Sequence, residues 1–188
     1  MRIGVSGARG SFSEAAAATY ARKRNGQLGE YESVYLISVE AVLAALEVGN
    51  IDFGIFPIEN SNGGIVIEAV HAMSRHNFKI TMMFEIDVHH NLLVRKGTTA
   101  DRVSAIISHD QALKQCRMYL KRIWPTTEIR EYPDTAQAAA DLASGTLPET
   151  AAVIASLEAA EIHGLDILDP SIQDLKFNFT HFIAATGS

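Results

Sequence analysis

The chain has 188 residues, 47% hydrophobic and 20% charged, enough to bury one compact domain or two small lobes and unlike a disordered or collagen-like chain. Sixteen basic against 22 acidic residues give a net charge of −6, and aromatic residues make up only 7%, so both the basic excess and the stacking side chains of a nucleic-acid binder are lacking. No apolar run reaches the roughly 20 residues needed to span a bilayer, which argues against a membrane protein. The lone Cys116 cannot close an internal disulfide and the opening MRIGVSG reads as a strand, so a cytoplasmic protein is expected.

Along the chain, apolar β-branched runs alternate with alanine-rich helical stretches, the pattern of an α/β fold with mostly parallel strands. Strands are predicted at residues 2–6, 31–37, 53–57, 80–94, 105–108, 128–132, 151–154 and 179–185. Helices fall between them at 13–24, 39–47, 65–75, 110–123, 135–144 and 156–162, where apolar residues recur at helical spacing without internal proline. Ser38 and Asp134 read as N-caps, and Gly49, Gly145 and Gly164 as helix stops.

The stretch FKITMMFEIDVHHNLLV runs over 17 positions from Phe78 to Val94, whereas a usual strand has about 5 or 6 residues. It is read as a strand that leaves one lobe for another, with Leu165–Asn178 returning the chain. The expected lobes are about 1–80 plus 168–188, and about 81–167, with a cleft between them where strand ends would meet a small ligand.

Three loops stand between a strand and a helix. Gly7-Ala8-Arg9-Gly10-Ser11-Phe12-Ser13 has the glycines and hydroxyls of an anion seat, or of a glycine turn capped by Ser11 or Ser13. Its glycine spacing fits no dinucleotide fingerprint, and no Gly-Lys-Ser/Thr follows. In Pro57–Gly64, Asn60 and Asn62 read equally as turn formers and ligand contacts. Ser108-His109-Asp110-Gln111 stands at another strand end, with Gln115 a helical turn beyond, and a helix cap is the even alternative. Cys116 reads as a packed thiol. His89 and His90 are adjacent on an extended segment and point to opposite faces, no His-Glu-x-x-His occurs, and no metal site is expected.

Five motifs, in order and in register, resemble the catalytic domain of prephenate dehydratase: Gly10-Ser11-Phe12-Ser13, DFGIFPIENSNGG at 52–64, HNLLV at 90–94, SHDQALKQC at 108–116 and NFTHF at 178–182. The resemblance implies two α/β lobes around a cleft, similar to the type II periplasmic-binding-protein architecture. It further implies conversion of prephenate to phenylpyruvate without metal or organic cofactor. Thr180 matches the family's catalytic threonine. Asn60, Ser108 and Gln115 match positions that bind or support substrate, Ser11 and Ser13 belong to the carboxylate loop, and Asn178, His181 and Phe182, beside Thr180 in the signature, are expected to contact substrate as well.

This sequence departs from the family at His181, where the signature has arginine, which grips a carboxylate by two parallel bonds. Arg9 and Lys176 are candidates for the missing charge, and His181→Arg is expected to tighten prephenate binding if that guanidinium matters. The altered position leaves two alternatives: a decarboxylase that does not aromatise the ring, and a non-catalytic binder of small carboxylates. Ala8 stands where proline is usual and Ser11 where threonine is common. The chain stops six residues past Phe182, without the ACT regulatory domain usual in the family, so either truncation or natural absence is expected. Oligomeric state, homo-oligomers included, and the choice between prephenate and arogenate are open.

Overall fold

A computed structural model of the chain describes residues 1–24 and 30–188. It divides into two α/β units, one of residues 1–8, 12–87 and 179–188, the other of residues 9–11 and 88–178.

The first unit holds strands β1 (Arg2–Val5), β2 (Glu32–Tyr35), β3 (Phe53–Asn60), β4 (Gly64–Ile65), β5 (Phe78–Asp87) and β11 (Phe179–Gly187), in the order β2-β1-β3-β11-β5 with β4 beside β3. β1 runs parallel to β2 and β3, whereas β11 is antiparallel to both its neighbours, so the sheet is mixed rather than mostly parallel. Helix α1 (Phe12–Lys23) buries Ala16, Ala17 and Tyr20 against Ile3, Val5, Ile55, Phe84 and Phe182. On the other core, α2 (Val39–Glu47) and α3 (Ile67–Met73) bring Val42, Leu43, Leu46, Ala69 and Ala72 onto Phe56, Ile183 and Ala185. The Ser38 hydroxyl caps α2 by accepting the Ala41 N–H at 3.1 Å. Helix α2 approaches β3 so closely at Gly54 that a Cβ there would lie 2.6 Å from Val42 Cγ1.

The second unit holds β6 (Asn91–Val94), β7 (Ala105–Ser108), β8 (Glu128–Glu131), β9 (Ala151–Ala155) and β10 (Asp166–Asp169), in the order β10-β6-β9-β7-β8. All five residues of β9 are buried because neighbours cover both faces. Helices α6 (Thr135–Ser144) and α7 (Leu157–His163) pack on Leu93, Ile107 and Val153, while α4 (Asp110–Gln115) and α5 (Arg117–Ile123) pack on Leu92, Ile106 and Ile154. Asp134 caps α6 through the Gln137 N–H at 2.8 Å, and Gly145 and Gly164 close α6 and α7 at φ 88° and 64°.

The long extended stretch is two strands, β5 and β6, joined by residues 88–90, and the unit boundary lies at 87/88 rather than near 80. The cause is pairing: β5 stays registered with β11 as far as Asp87 opposite Phe179. The return lies at 178/179 rather than near 168, because 166–169 forms β10 along β6 and the following residues stay tied to the second unit.

A histidine clamp holds α2 to the start of β5. His76 Nδ1 lies 2.8 Å from Glu47 and Nε2 2.8 Å from Glu40, with Arg75 3.7 Å from Glu40 and the Asn77 N–H donating to Glu47 at 2.9 Å. The Glu47 and Glu40 hydrogen bonds raise the His76 pKa, and the Asn77 N–H, then His76, lower that of Glu47. The histidine contribution is full below its ordinary value of 6.5 and is lost as pH rises through the raised folded value. The glutamate contribution is full above 4.5 and is lost as pH falls through the lowered value. His76→Gln should therefore lower the melting temperature most between about pH 4.5 and 6.5, with the gap to wild type closing on the alkaline side. Thermal melts across pH check this, and a pH-independent gap would refute it.

Candidate functional site

Within the first unit, Thr180 on β11 faces Asn60 at the end of β3. The Asn60 side-chain carbonyl accepts the N–H groups of Asn62 at 2.9 Å and Gly63 at 2.8 Å, an Asx-type turn that fixes the amide. Its Nδ2 therefore points the other way and donates to Thr180 Oγ1 at 2.9 Å and to the Phe179 carbonyl at 3.2 Å. Asn60 is thus turn former and side-chain partner at once. The Thr180 hydroxyl is the acceptor in this bond, which leaves its own proton to be donated elsewhere. Ser61 holds the adjoining backbone: its N–H donates to the Phe179 carbonyl at 2.9 Å, and its hydroxyl accepts the Phe179 N–H at 3.1 Å.

Strand alternation turns His181 to the face opposite Thr180. It stands in register with Glu59 on one side and Glu85 on the other, Nε2 3.5 Å from Glu85 and its ring edge-on to Phe179 at 5.3 Å. An arginine at this position meets two carboxylates rather than the Thr180 hydroxyl. For the prephenate turnover that the resemblance implies, His181→Arg should accordingly leave KM within about twofold of wild type, since exposed ion pairs contribute little. A tenfold drop in KM in steady-state kinetics would refute this. Phe182 is 2% exposed and stacks on Phe84 with centroids 6.2 Å apart, so it anchors β11 in the core.

Within the second unit the polar side chains converge on Gln115, the last residue of α4. Its side-chain carbonyl accepts from His90 Nε2 at 2.7 Å and Asn178 Nδ2 at 2.8 Å. The helix breaks at the next residue, Cys116, and restarts as α5, where the first-turn N–H groups of Met118 and Tyr119 donate to the Asp174 carboxylate at 2.8 and 2.9 Å. The Asp174 N–H in turn donates to the Gln115 backbone carbonyl at 2.8 Å. Cys116 is fully buried and burial pushes its thiol pKa up, the behaviour of a packed thiol. Ser108 is also fully buried, and its hydroxyl donates to the Ile154 carbonyl at 2.7 Å, joining the end of β7 to β9.

The first loop is divided between the units. Arg9-Gly10-Ser11 groups with the second, where the Ser156 hydroxyl donates to the Gly10 carbonyl at 2.7 Å; Ser13 groups with the first, donating to the Ser6 carbonyl at 3.4 Å. The first turn of α1 already carries a carboxylate, Glu14, which accepts the Tyr35 hydroxyl proton. Arg9 is exposed, and with burial its charge lowers the pKa of His163, burial being the larger cause. Lys176 is exposed too.

Sequence reasoning gave His90 no role and overlooked Asp174. His90 was visible as a histidine at a strand end inside the HNLLV motif, whereas the capping partner of Asp174 lies 55 positions away from it in sequence at Tyr119. Among the described residues no group of three or more His, Cys, Asp and Glu is placed to hold a metal ion, and no helix is long and apolar enough to cross a membrane.

Two α/β units, each built on a mixed sheet, give a fold similar to that of periplasmic substrate-binding proteins. One such protein, from Coxiella burnetii, is 15% identical and superposes with a TM-score of 0.52 over 97% of this chain and 84% of its own. The prephenate dehydratase family model matches residues 3–186, and the chain belongs to that family. A chloroplastic arogenate dehydratase, number 5 of Arabidopsis thaliana, is 36% identical over 183 residues, 97% of this chain and 41% of that protein. The chain thus spans about two fifths of that relative. The structure of prephenate dehydratase in complex with L-Phe from Arthrobacter aurescens superposes with a TM-score of 0.87 at 23% identity, over 100% of this chain and 60% of that one.

Proposed function

We propose that this chain is a prephenate dehydratase that converts prephenate to phenylpyruvate, carbon dioxide and water. The bond to the ring carboxylate breaks, its electron pair moves through the ring to expel oxygen from the opposite ring carbon, and that oxygen leaves as water after taking one proton. Aromatisation drives both bond cleavages, so the reaction needs no electron-accepting cofactor. The protein's task is to hold the dianion and to stabilise the departing hydroxide.

The observation that carries this reading is the polarity of the Asn60–Thr180 pair. Because Nδ2 of Asn60 donates to Thr180, the threonine proton is directed to another acceptor, which is what hydrogen bonding to the departing oxygen requires. Gln115, with Asn178 behind it, serves as a donor to substrate oxygen. Ser108 supports it from within the second unit, Ser11 and Ser13 contribute hydroxyls, and Arg9 and Lys176 contribute positive charge. The cytoplasmic location belongs to the same proposal. The non-aromatising alternative was motivated by the change at position 181; that His181 stands opposite Glu85, on the other face of the strand from Thr180, supports the aromatising reading.

The test is incubation of the purified chain with prephenate and, separately, with arogenate, its amino counterpart. Phenylpyruvate formed above the spontaneous rate supports the proposal. Phenylalanine from arogenate, with prephenate untouched, moves the substrate to the amino acid. A non-aromatic dihydro keto acid, or binding without product, overturns the reading.

A further inference from the structure

We propose that His90 is a positioning residue that fixes the polarity of the Gln115 side-chain amide, so that Gln115 meets the substrate only as an N–H donor; this rests on the dehydratase reading above. An amide oxygen has two acceptor sites, and both at Gln115 are taken, by His90 Nε2 at 2.7 Å and Asn178 Nδ2 at 2.8 Å. The NH2 edge is thereby turned away from this pair, and a rotated amide would bring two N–H donors against an N–H. For an anionic substrate the distinction matters, because a donor attracts a carboxylate or keto oxygen that a carbonyl would repel.

His90 is suited to hold this setting. It is 4% exposed, and its backbone is fixed on both sides, the N–H donating to Gln173 Oε1 at 3.0 Å and the carbonyl accepting the Ile172 N–H at 2.8 Å. Burial lowers its pKa, with the neighbouring His89 acting in the same direction and Gln115 opposing, which favours the neutral ring with a single N–H. Since Gln115 Oε1 only accepts, that proton sits on Nε2. The Gln115 backbone is held as firmly, by the Asp174 N–H at 2.8 Å. An imidazole with a fixed tautomer thus orients an amide, as a partner behind a metal-ligating histidine orients that ligand.

The experiment is a double-mutant cycle with 15N spectroscopy of the imidazoles. His90→Leu and Gln115→Leu should each raise KM about tenfold or more with a smaller effect on kcat, and the double variant should be within about twofold of Gln115→Leu alone. His90→Gln, whose amide nitrogen falls near the position of Nε2, should restore KM to within about threefold, and His90→Asn should not. Wild-type His90 should show a neutral Nε2–H ring whose signal shifts in Gln115→Leu. Additive losses, equal behaviour of the glutamine and asparagine variants, an Nδ1–H tautomer, or a signal indifferent to Gln115 would each overturn the positioning role. Absence of turnover by wild type, with the Nε2–H signal coupled to Gln115 as expected, would overturn the assigned reaction and leave the orienting contact established.

Discussion

Replacing Thr180 by alanine should lower kcat for prephenate by about 10²- to 10³-fold, the range expected when a positioned proton donor or transition-state hydrogen bond is removed. The loss should fall on kcat more than on KM, because the hydroxyl interacts chiefly with charge that develops as the ring oxygen departs. Thr180→Ser keeps the hydroxyl and the Asn60 bond and should stay within about tenfold of wild type. Folding should be little disturbed. Asn60 Nδ2 retains the Phe179 carbonyl at 3.2 Å, so no amide hydrogen is stranded, and the lost hydrogen bond is worth about 1 kcal/mol. Steady-state kinetics with a thermal melt on each variant make the check. Alanine and wild type with equal kcat would show that the hydroxyl takes no part.

The same pair shows what a sequence conveys and what it does not. Thr180 and Asn60 are 120 positions apart and each stands in a distinct motif, yet their bond depends on β11 entering between β3 and β5, which no local pattern encodes. Elements with their own punctuation were legible: α2 begins where Ser38 marks it, and α6 begins and ends where Asp134 and Gly145 mark it. So was β7, a short apolar run buried on both sides. Strand β10 was not, since LDILD before a proline reads as loop and becomes a strand only by lying along β6. The direction of β11, β6 and β10 likewise follows from how the chain returns, and the expectation of mostly parallel sheets failed there. At position 181, comparison with a motif suggested a lost substrate contact. The two-residue period of the strand sends that side chain to Glu85 instead, a conclusion available only once Thr180 is placed on the other face.

The first loop gives the other large expected effect. Gly10 has φ +84°, a conformation costly for a β-branched residue, and a Cβ built on it would lie 3.1 Å from the Cα of Ala159 in the first turn of α7. That neighbour is backbone and cannot turn aside as a side-chain tip would. It is also pinned, because the Ser156 hydroxyl accepts the Ala159 N–H at 3.0 Å while donating to the Gly10 carbonyl at 2.7 Å. Gly10→Val therefore combines left-handed strain with a backbone collision, and the segment Arg9–Ser11 must lift from α7. A loss of about 2–4 kcal/mol in stability and a fall of about 10²-fold in kcat/KM are expected, mostly through KM if Arg9 and Ser11 bind substrate. Gly10→Ala should be intermediate. Ser156→Ala, which keeps the glycine but loses the cap and the tie to the loop, should cost about 1 kcal/mol with a smaller rise in KM. Denaturant unfolding and steady-state kinetics on the three variants separate these effects. Wild-type stability and KM in Gly10→Val would mean that the loop need not lie where the Ser156 bond holds it.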